Sequence, residues 1–197
     1  MFGKISKIKF IIKQWPIIKA DAIRTYTYHY NISPNDIKMA KIGYIKLVLK
    51  LYRQNLNGFR DVFYYRTCIY NRLLRFLFPV TSELHIDVKD VAGGGIVLHH
   101  AFSTYLNAEH IGYGCSFRNN TTLGNKLNKE GVLGRPYLKN NVFCGPNVVV
   151  IGDIVIGNNV VIGAGAVVTK SVPDNCVVVG NPAYIIKQDG IRCYKKL

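Results

Sequence analysis

The chain has 197 residues, which gives room for one compact domain with an appended segment, and 49% of them are apolar, enough for a buried core. Its formal net charge of +15 is uneven, because residues 1–80 carry 15 lysines and arginines against three acids. Five cysteines, an odd number without a C-x-x-C pair, indicate neither a disulfide framework nor a thiolate zinc site and favour a reducing compartment.

Residues 1–80 are predicted to form a basic α-helical domain. Residues 1–14 interleave four lysines with isoleucines in an amphipathic pattern. One interpretation is a helical cap that covers the first coil of the next domain and meets its neighbours in an oligomer. A compatible one adds that the basic face of 1–14 lies on an anionic membrane surface. Nucleic-acid binding is not predicted, since no nucleic-acid motif accompanies the charge.

The helix boundaries are predicted from proline and from capping residues. The first helix is predicted to stop at Pro16, because proline disfavours helix continuation, and a connector is expected at 26–30. A second helix is expected to start at the cap beginning with Ser33 and to run to about Gln54. A third is expected from Arg60 to Phe78. No signal peptide and no stretch of about 18 uncharged apolar residues is found, so a cytoplasmic protein, peripheral to the membrane at most, is expected.

The stretch 138–173 repeats every six residues. Its first position is always apolar or small: Leu138, Cys144, Val150, Ile156, Ile162, Val168. The fifth position behaves alike: Val142, Val148, Ile154, Val160, Ala166, Val172. A helix with 3.6 residues per turn cannot keep this phase, whereas a chain that coils through short strands and sharp corners can, with the apolar columns stacked inside. A valine-rich α/β core with an accidental phase is disfavoured by six consecutive matches.

The same phase appears further upstream, where Ile111, Phe117 and Leu123 are six residues apart. From Leu123 to Leu138 the spacing is 15 residues, which is not a multiple of six, so a loop at 125–135 is predicted to leave the coil. The coiled domain is expected to span residues 81–183. Residues 184–197 are predicted to form a C-terminal tail.

The repeat resembles the hexapeptide-repeat acyltransferases, whose fold is a left-handed parallel β-helix. From about Phe59 onward the resemblance is to their serine acetyltransferase branch, including short saccharide O-acetyltransferases. The segments that carry it are Phe59-Arg60 and Tyr65-Arg66, Gly95-Ile96-Val97-Leu98 before His99-His100-Ala101, the TTLGN turn at 121–125, Arg135-Pro136, the IGAGAVVTKSVPDN run at 162–175 and Gly180-Asn181-Pro182-Ala183.

The resemblance implies that His100 is the general base, because the family's base is the histidine that precedes alanine after the Gly-Ile-x-Leu strand. The chemistry requires such a group. A hydroxyl attacks a thioester slowly at neutral pH unless its proton is removed as the bond forms, and a positioned imidazole accelerates this by about 10²–10⁴-fold. His99 is expected to point to the opposite face of a regular strand.

The sequence departs from the serine enzymes at three places. The aspartate that precedes the base in those enzymes is His99 here, and their Arg-His pair after the loop is Gly134-Arg135. We assign His99 and Arg135 to binding of the acceptor. Their aspartate fifteen residues before the base falls on His85, which we keep as a catalytic candidate. Asp87, two residues further on, is our candidate for orienting His100. The first two departures argue against an amino-acid acceptor.

The resemblance also implies acetyl-CoA as co-substrate, held along the coil between adjacent subunits of a homotrimer. The positions that match this groove, or that offer cations to CoA phosphates, are Asn125, Gly145, Pro146, Gly163, Ala164, Lys170 and Lys187. A zinc site built from His85, His99, His100 and His110 is considered and not favoured, because the ligand spacing of the trimeric β-helix carbonic anhydrases is not seen. No metal is therefore predicted.

The function expected is acetyl transfer from acetyl-CoA to a hydroxyl of a saccharide, such as a precursor of capsule, lipopolysaccharide or exopolysaccharide. Serine O-acetylation in cysteine biosynthesis is the alternative enzyme activity. A non-catalytic β-helix scaffold is the alternative outside enzymes.

Overall fold

The computed structural model describes residues 2–30, 33, 41–67, 72–80, 83–91, 94–128 and 130–197, without the side chains of 2–11, 41, 42, 56, 72 and 74. The chain divides into two compact units. The first comprises Met1–Thr81 with Gly93–Val97, and the second comprises Ser82–Ala92 with Leu98–Leu197. Among the described residues, no helix is both long and apolar enough to cross a membrane.

The first unit is helical. Its elements are α1 (Phe2–Tyr30), α2 (Lys41–Gln54), a 3₁₀ turn (Leu56–Gly58), α3 (Phe59–Thr67) and α4 (Arg72–Leu77). Apolar residues of the first three helices meet in one buried cluster, formed by Ile18, Ala22, Leu47, Val48, Leu51 and Phe59. The predicted end of the second helix at Gln54 is confirmed.

The predicted stop of the first helix at Pro16 is wrong, because α1 runs through this proline to Tyr30. A proline inside a helix forfeits one backbone hydrogen bond and costs about 3 kcal/mol. The packing on both sides of Pro16 offsets this cost, since Trp15 contacts the apolar cluster and Ile18 is fully buried in it. The amphipathic pattern of 1–14 falls largely on side chains outside those that the structure describes.

Two further boundary predictions differ from the structure. The connector predicted at 26–30 is the last turn of α1, where Tyr26 packs against the apolar cluster. The helix predicted from Arg60 to Phe78 is α3 and α4, and residues 68–71 lie outside the described part of the chain. The helix start predicted at residues 33–36 falls outside it too, apart from Ser33.

The second unit is built from short strands. They are β1 (Leu84–Val91), β2 (Val97–His99, which begins in the helical unit), β3 (Thr104–Ile111), β4 (Ser116–Arg118), β5 (Thr122–Gly124), β6 (Lys126–Leu127), β7 (Leu133–Gly134), β8 (Tyr137–Leu138), β9 (Phe143–Cys144), β10 (Val149–Ile151), β11 (Val155–Ile156), β12 (Val161–Ile162), β13 (Val167–Val168), β14 (Cys176–Val179), β15 (Tyr184–Gln188) and β16 (Ile191–Lys196). Strands of successive coils pair in parallel, as between β9 and β12, which gives a parallel β-helix.

The six-residue columns are the core of this unit, as predicted. All six first-position side chains from Leu138 to Val168 are fully buried, and the fifth-position side chains are at most 7% exposed. Leu138 lies beside Ile156, 18 residues later, whereas Ile111 lies beside Leu138, 27 residues later. The nine additional residues lie within the predicted loop at 125–135, whose arms β6 and β7 pair as an antiparallel hairpin.

Asparagines hold one corner of the coil in the left-handed backbone region. Asn141, Asn159 and Asn175 have φ values of 57°, 55° and 58°, which asparagine adopts more readily than most residues. Their side chains form a ladder, because Asn141 Nδ2 donates to Asn159 Oδ1 at 3.1 Å and Asn159 Nδ2 to Asn175 Oδ1 at 2.9 Å. Each corner therefore stabilises the next.

The segment predicted as a tail, 184–197, is ordered as strands instead. β15 pairs antiparallel with β14 of the last coil and with β16. Ala183 and Ile185 are buried at its start, and the rings of Tyr184 and Tyr194 stack with their centroids 4.7 Å apart. The antiparallel strands cover the last coil because β14 would otherwise leave an unpaired sheet edge.

Candidate active site

The two adjacent histidines lie in different environments. His99 ends β2 and is 5% exposed, whereas His100 comes directly after the strand, is exposed and has a φ of 51°. A tight turn holds this conformation, since the backbone N–H of Phe102 donates to the carbonyl oxygen of His100 at 2.7 Å. The His100 side chain is therefore exposed to solvent, whereas the His99 side chain is buried.

His85 and Asp87 are exposed on one face of β1, two residues apart. The ring of His85 lies 5.4 Å from that of Tyr105. Asp87 pairs with Arg135, whose Nη2 is 3.4 Å from Asp87 Oδ2 and whose Nη1 lies 3.5 Å from the Asp87 carbonyl oxygen. The structure thus joins two residues to which the sequence assigned different roles, one in orienting the base and one in binding the acceptor.

Four of the predicted CoA-binding positions stack on one corner of the coil. A methyl group built on Gly145 would lie 2.8 Å from the backbone nitrogen of Ala164 and 3.2 Å from the carbonyl carbon of Gly163, so only glycine fits there. Gly165 N donates to the Pro146 carbonyl at 2.9 Å, which fixes one coil on the next. A methyl group built on Gly165 would meet no atom within 4 Å. The corner is therefore close-packed inside and open outside, which suits a pantetheine chain lying along it.

The other three predicted CoA-binding residues are exposed and separate in sequence. Asn125 lies between β5 and the β6–β7 hairpin, Lys170 comes after β13 and Lys187 belongs to β15. No contact that the structure records joins Asn125, Lys170 or Lys187 to the Gly145 corner within the described part of the chain. Their assignment to CoA remains a prediction.

Sequence reasoning missed the contacts of His110 on β3 with Asp90 on β1 and Tyr137 on β8. His110 Nδ1 lies 2.8 Å from Asp90 Oδ2, and its ring stacks on Tyr137 with the centroids 4.3 Å apart. These residues are 20 and 27 positions apart, and the parallel register brings them together. In the described ranges, no group of three His, Cys, Asp or Glu side chains is arranged to hold a metal ion.

The cysteines of the coil are core residues. Cys115, Cys144 and Cys176 are fully buried, and Cys115 Sγ donates to the Lys139 carbonyl at 3.2 Å. Burial, reinforced by the neighbouring Cys115, raises the pKa of the Cys144 thiol far above its ordinary value. The thiolate is the nucleophilic form of cysteine, so Cys144 is unsuited to carry an acyl group.

The comparisons with known proteins agree with this architecture. Residues 135–170 match the family model described as bacterial transferase hexapeptide (six repeats). A serine acetyltransferase of Synechococcus elongatus is 37% identical over 122 residues, which are 61% of this chain and 50% of that protein. The putative colanic acid biosynthesis acetyltransferase WcaB of Escherichia coli K12 is 38% identical over 114 residues, which are 57% of this chain and 69% of that protein.

The chain belongs to the bacterial hexapeptide-repeat transferase family. Its fold agrees with that of the serine acetyltransferase of Neisseria gonorrhoeae solved in complex with serine, at a TM-score of 0.56, 23% identity, and coverage of 89% of this chain and 70% of that one. The prediction of a left-handed β-helix with N-terminal helices is thereby confirmed. This hexapeptide-repeat transferase spans about half the length of the serine acetyltransferase it matches.

Proposed function

We propose that this hexapeptide-repeat transferase moves the acetyl group of acetyl-CoA to a hydroxyl of a saccharide, with His100 as the general base. The observation that carries the proposal is its relation to WcaB, a putative colanic acid biosynthesis acetyltransferase, over 69% of that protein. A polysaccharide precursor is accordingly the acceptor class that we favour.

The surroundings of Arg135 support a saccharide over an amino acid. An acceptor with a free carboxylate needs an unengaged cation, and the Arg135 guanidinium lies against the Asp87 carboxylate. An acceptor with a free ammonium needs an acid, and the residue before the base is His99. Sugar hydroxyls instead suit neutral and mixed hydrogen-bonding groups.

The reaction needs no covalent enzyme intermediate. The His100 imidazole takes the proton of the acceptor hydroxyl as its oxygen attacks the thioester carbonyl. The tetrahedral intermediate then expels the CoA thiolate, which receives the proton back from His100. Holding both reactants together removes much of the entropy cost of bringing them together. Initial rates should give intersecting double-reciprocal lines, whereas parallel lines would indicate an acyl-enzyme.

Serine O-acetylation is the second candidate, and the 37% identity to the Synechococcus elongatus serine acetyltransferase favours it. Thiol release from acetyl-CoA, measured with DTNB, separates the two when nucleotide-linked sugars, free sugars and L-serine are offered as acceptors. Release that depends on a sugar supports our proposal, and release that depends on serine alone contradicts it. Release with neither acceptor, together with no CoA binding, would favour a scaffold.

We further propose a homotrimer, since the coil corner of Gly145 and Ala164 is open on its outer side at Gly165, where an added methyl group would meet no atom within 4 Å. Light scattering should give about three times the 22.2 kDa mass of the chain, and a monomer that binds acetyl-CoA would contradict this model.

We also propose that residues 1–14 bind reversibly to anionic bilayers, at a cytoplasmic membrane surface, through their four lysines. Co-sedimentation with phosphatidylserine vesicles should weaken with salt and on deletion of 1–14. Equal binding to neutral vesicles would contradict this proposal.

A further inference from the structure

The helical unit contains a buried carboxylate that the proposed chemistry does not use. Asp21 lies on α1 and is 2% exposed, and Arg66 on α3 is 6% exposed. Arg66 Nε donates to Asp21 Oδ2 at 2.7 Å, and Arg66 Nη2 lies 3.4 Å from Oδ1. Burial raises the pKa of the Asp21 carboxyl, and the charge and hydrogen bonds of Arg66 oppose that rise.

The third partner of this pair is backbone. The N–H of Ile96 donates to Asp21 Oδ1 at 3.0 Å. Residues 94–97 belong to the helical unit, although they come after β1 in the chain. The Asp21 carboxylate therefore fixes the backbone of this segment to α1, while Arg66 fixes the carboxylate.

Gly94 brings the same segment into direct contact with α1. A methyl group built on Gly94 would lie 2.5 Å from Ala20 Cβ and 2.8 Å from the Ile17 carbonyl oxygen. Both distances are shorter than real Cβ contacts, so any side chain at this position forces the segment away from the helix. Close packing and the Asp21 hydrogen bond thus act on the same few backbone atoms.

Stability alone does not account for an ion pair at this place. A buried pair costs much of its Coulombic gain in desolvation, and apolar residues of similar volume often do as well or better. An apolar exchange here would leave the Ile96 N–H without its acceptor, and an unsatisfied buried donor is costly. The ion pair therefore serves to hold a hydrogen-bond acceptor in place for the backbone N–H of Ile96.

The position of Ile96 matters because this residue directly precedes the strand that leads to the base. β2 begins at Val97 and ends at His99, and His100 is the next residue. No loop intervenes that could absorb a displacement of Ile96. A misplacement of about 1 Å at a reacting group costs about 10²-fold in rate.

We propose that Asp21 and Arg66 are positioning residues, which hold the backbone at Ile96 and thereby the place of His100. The inference rests on the proposed role of His100 as the base. It gives the helical unit a part in catalysis that neither a cap nor a membrane anchor requires.

The first test is kinetic and uses the full chain. Asp21→Ala removes the acceptor and should lower kcat at least about 10-fold, with KM for acetyl-CoA within about 2-fold of the parent value. Gly94→Ala should likewise lower kcat and leave KM for acetyl-CoA nearly unchanged, although it removes neither the Asp21 nor the Arg66 charge. Asp21→Asn with Arg66→Gln should restore kcat, because the asparagine oxygen still accepts from Ile96 while its amide donates to the glutamine oxygen.

The control is Leu51→Ala, which removes a fully buried side chain from the same helical core and leaves the Asp21 pair in place. Rates are compared per folded molecule. If Leu51→Ala lowers kcat as much as Asp21→Ala does, or if the double variant does not recover, Asp21 serves stability alone and the inference is wrong.

The second test does not depend on catalysis. In protein labelled with ¹³C-histidine, Asp21→Ala or Gly94→Ala should shift the Cε1–H signals of His99 and His100 and leave those of His29 and His110 unchanged. Unshifted His99 and His100 signals in a folded variant would overturn the inference. A parent protein that transfers acetyl to no acceptor would contradict the proposed function, while these signals still decide whether Asp21 positions the strand.

Discussion

Replacing His100 with asparagine should abolish most of the turnover and leave the fold intact. His100 is exposed and has a φ of 51°, a conformation that asparagine adopts more readily than most residues and alanine does not. The tight turn from the His100 carbonyl to the Phe102 N–H therefore survives the exchange. Only the imidazole is lost.

The expected magnitudes can be estimated from these contacts. An exposed side chain outside the core changes stability by about 0.5 kcal/mol or less, so Tm should stay within about 2 °C of the parent value. Loss of a general base lowers kcat by at least about 10²-fold, which corresponds to about 2.7 kcal/mol of transition-state stabilisation. The dissociation constant of CoA should not change, because the role proposed for His100 is to take a proton from the acceptor hydroxyl.

Stopped-flow thiol release and isothermal titration with CoA measure the two quantities. The matched control is His99→Asn, which replaces a buried imidazole and should cost stability as well as acceptor affinity. Near-normal turnover of His100→Asn, with inactivity of His85→Ala or His99→Asn, would refute the assignment of the base.

Three further predictions concern the coil. Phe117→Ala should lower the free energy of unfolding by about 3–5 kcal/mol in urea titrations, because the ring is fully buried, whereas Leu133→Ala on the exposed hairpin should change it by less than about 0.5 kcal/mol. Asn158 donates hydrogen bonds to the Asp174 carboxylate and thereby lowers its pKa, so the stability that this carboxylate contributes is present at neutral pH and lost on acidification. The difference in Tm between the parent and Asp174→Asn should therefore disappear below about pH 4. A difference that persists at lower pH would mean that the carboxylate is not its cause. Burial raises the pKa of the Cys144 thiol, so unfolding at high pH releases its proton. Above about pH 9 the free energy of unfolding of the parent should therefore fall by up to about 1.4 kcal/mol per pH unit more than that of Cys144→Ala. Equal pH dependence of the two free energies would contradict a buried thiol.

The sequence alone determined the repeating part of the fold. A column such as Leu138, Cys144 and Val150 must be buried at a constant interval, and only a coil of short strands keeps that interval over six repeats. The 15-residue gap from Leu123 to Leu138 likewise required a loop, because the flanking columns are both core. Local pattern and tertiary packing agree here, since each coil contacts only its neighbours.

Tertiary structure decided what packing between distant segments controls. Pro16 marks a helix end by its local geometry, and contacts of Trp15 and Ile18 with residues of α2 and α3 carried the helix past it. The hairpin at 184–196 forms because the last coil offers it a sheet edge. The sequence of 184–196 by itself does not predict this pairing.

In the candidate site, too, local sequence predicts some features and only the folded chain shows the others. The prediction that His100 is the base rests on a local motif, because His100, the preceding strand and the next alanine are contiguous. The Asp87–Arg135 pair and the Asp21–Arg66–Ile96 contacts join residues 45 to 75 positions apart. No periodicity links such positions, because the register of the coil and the packing of α1 against α3 set those distances, and these exist only in the folded chain.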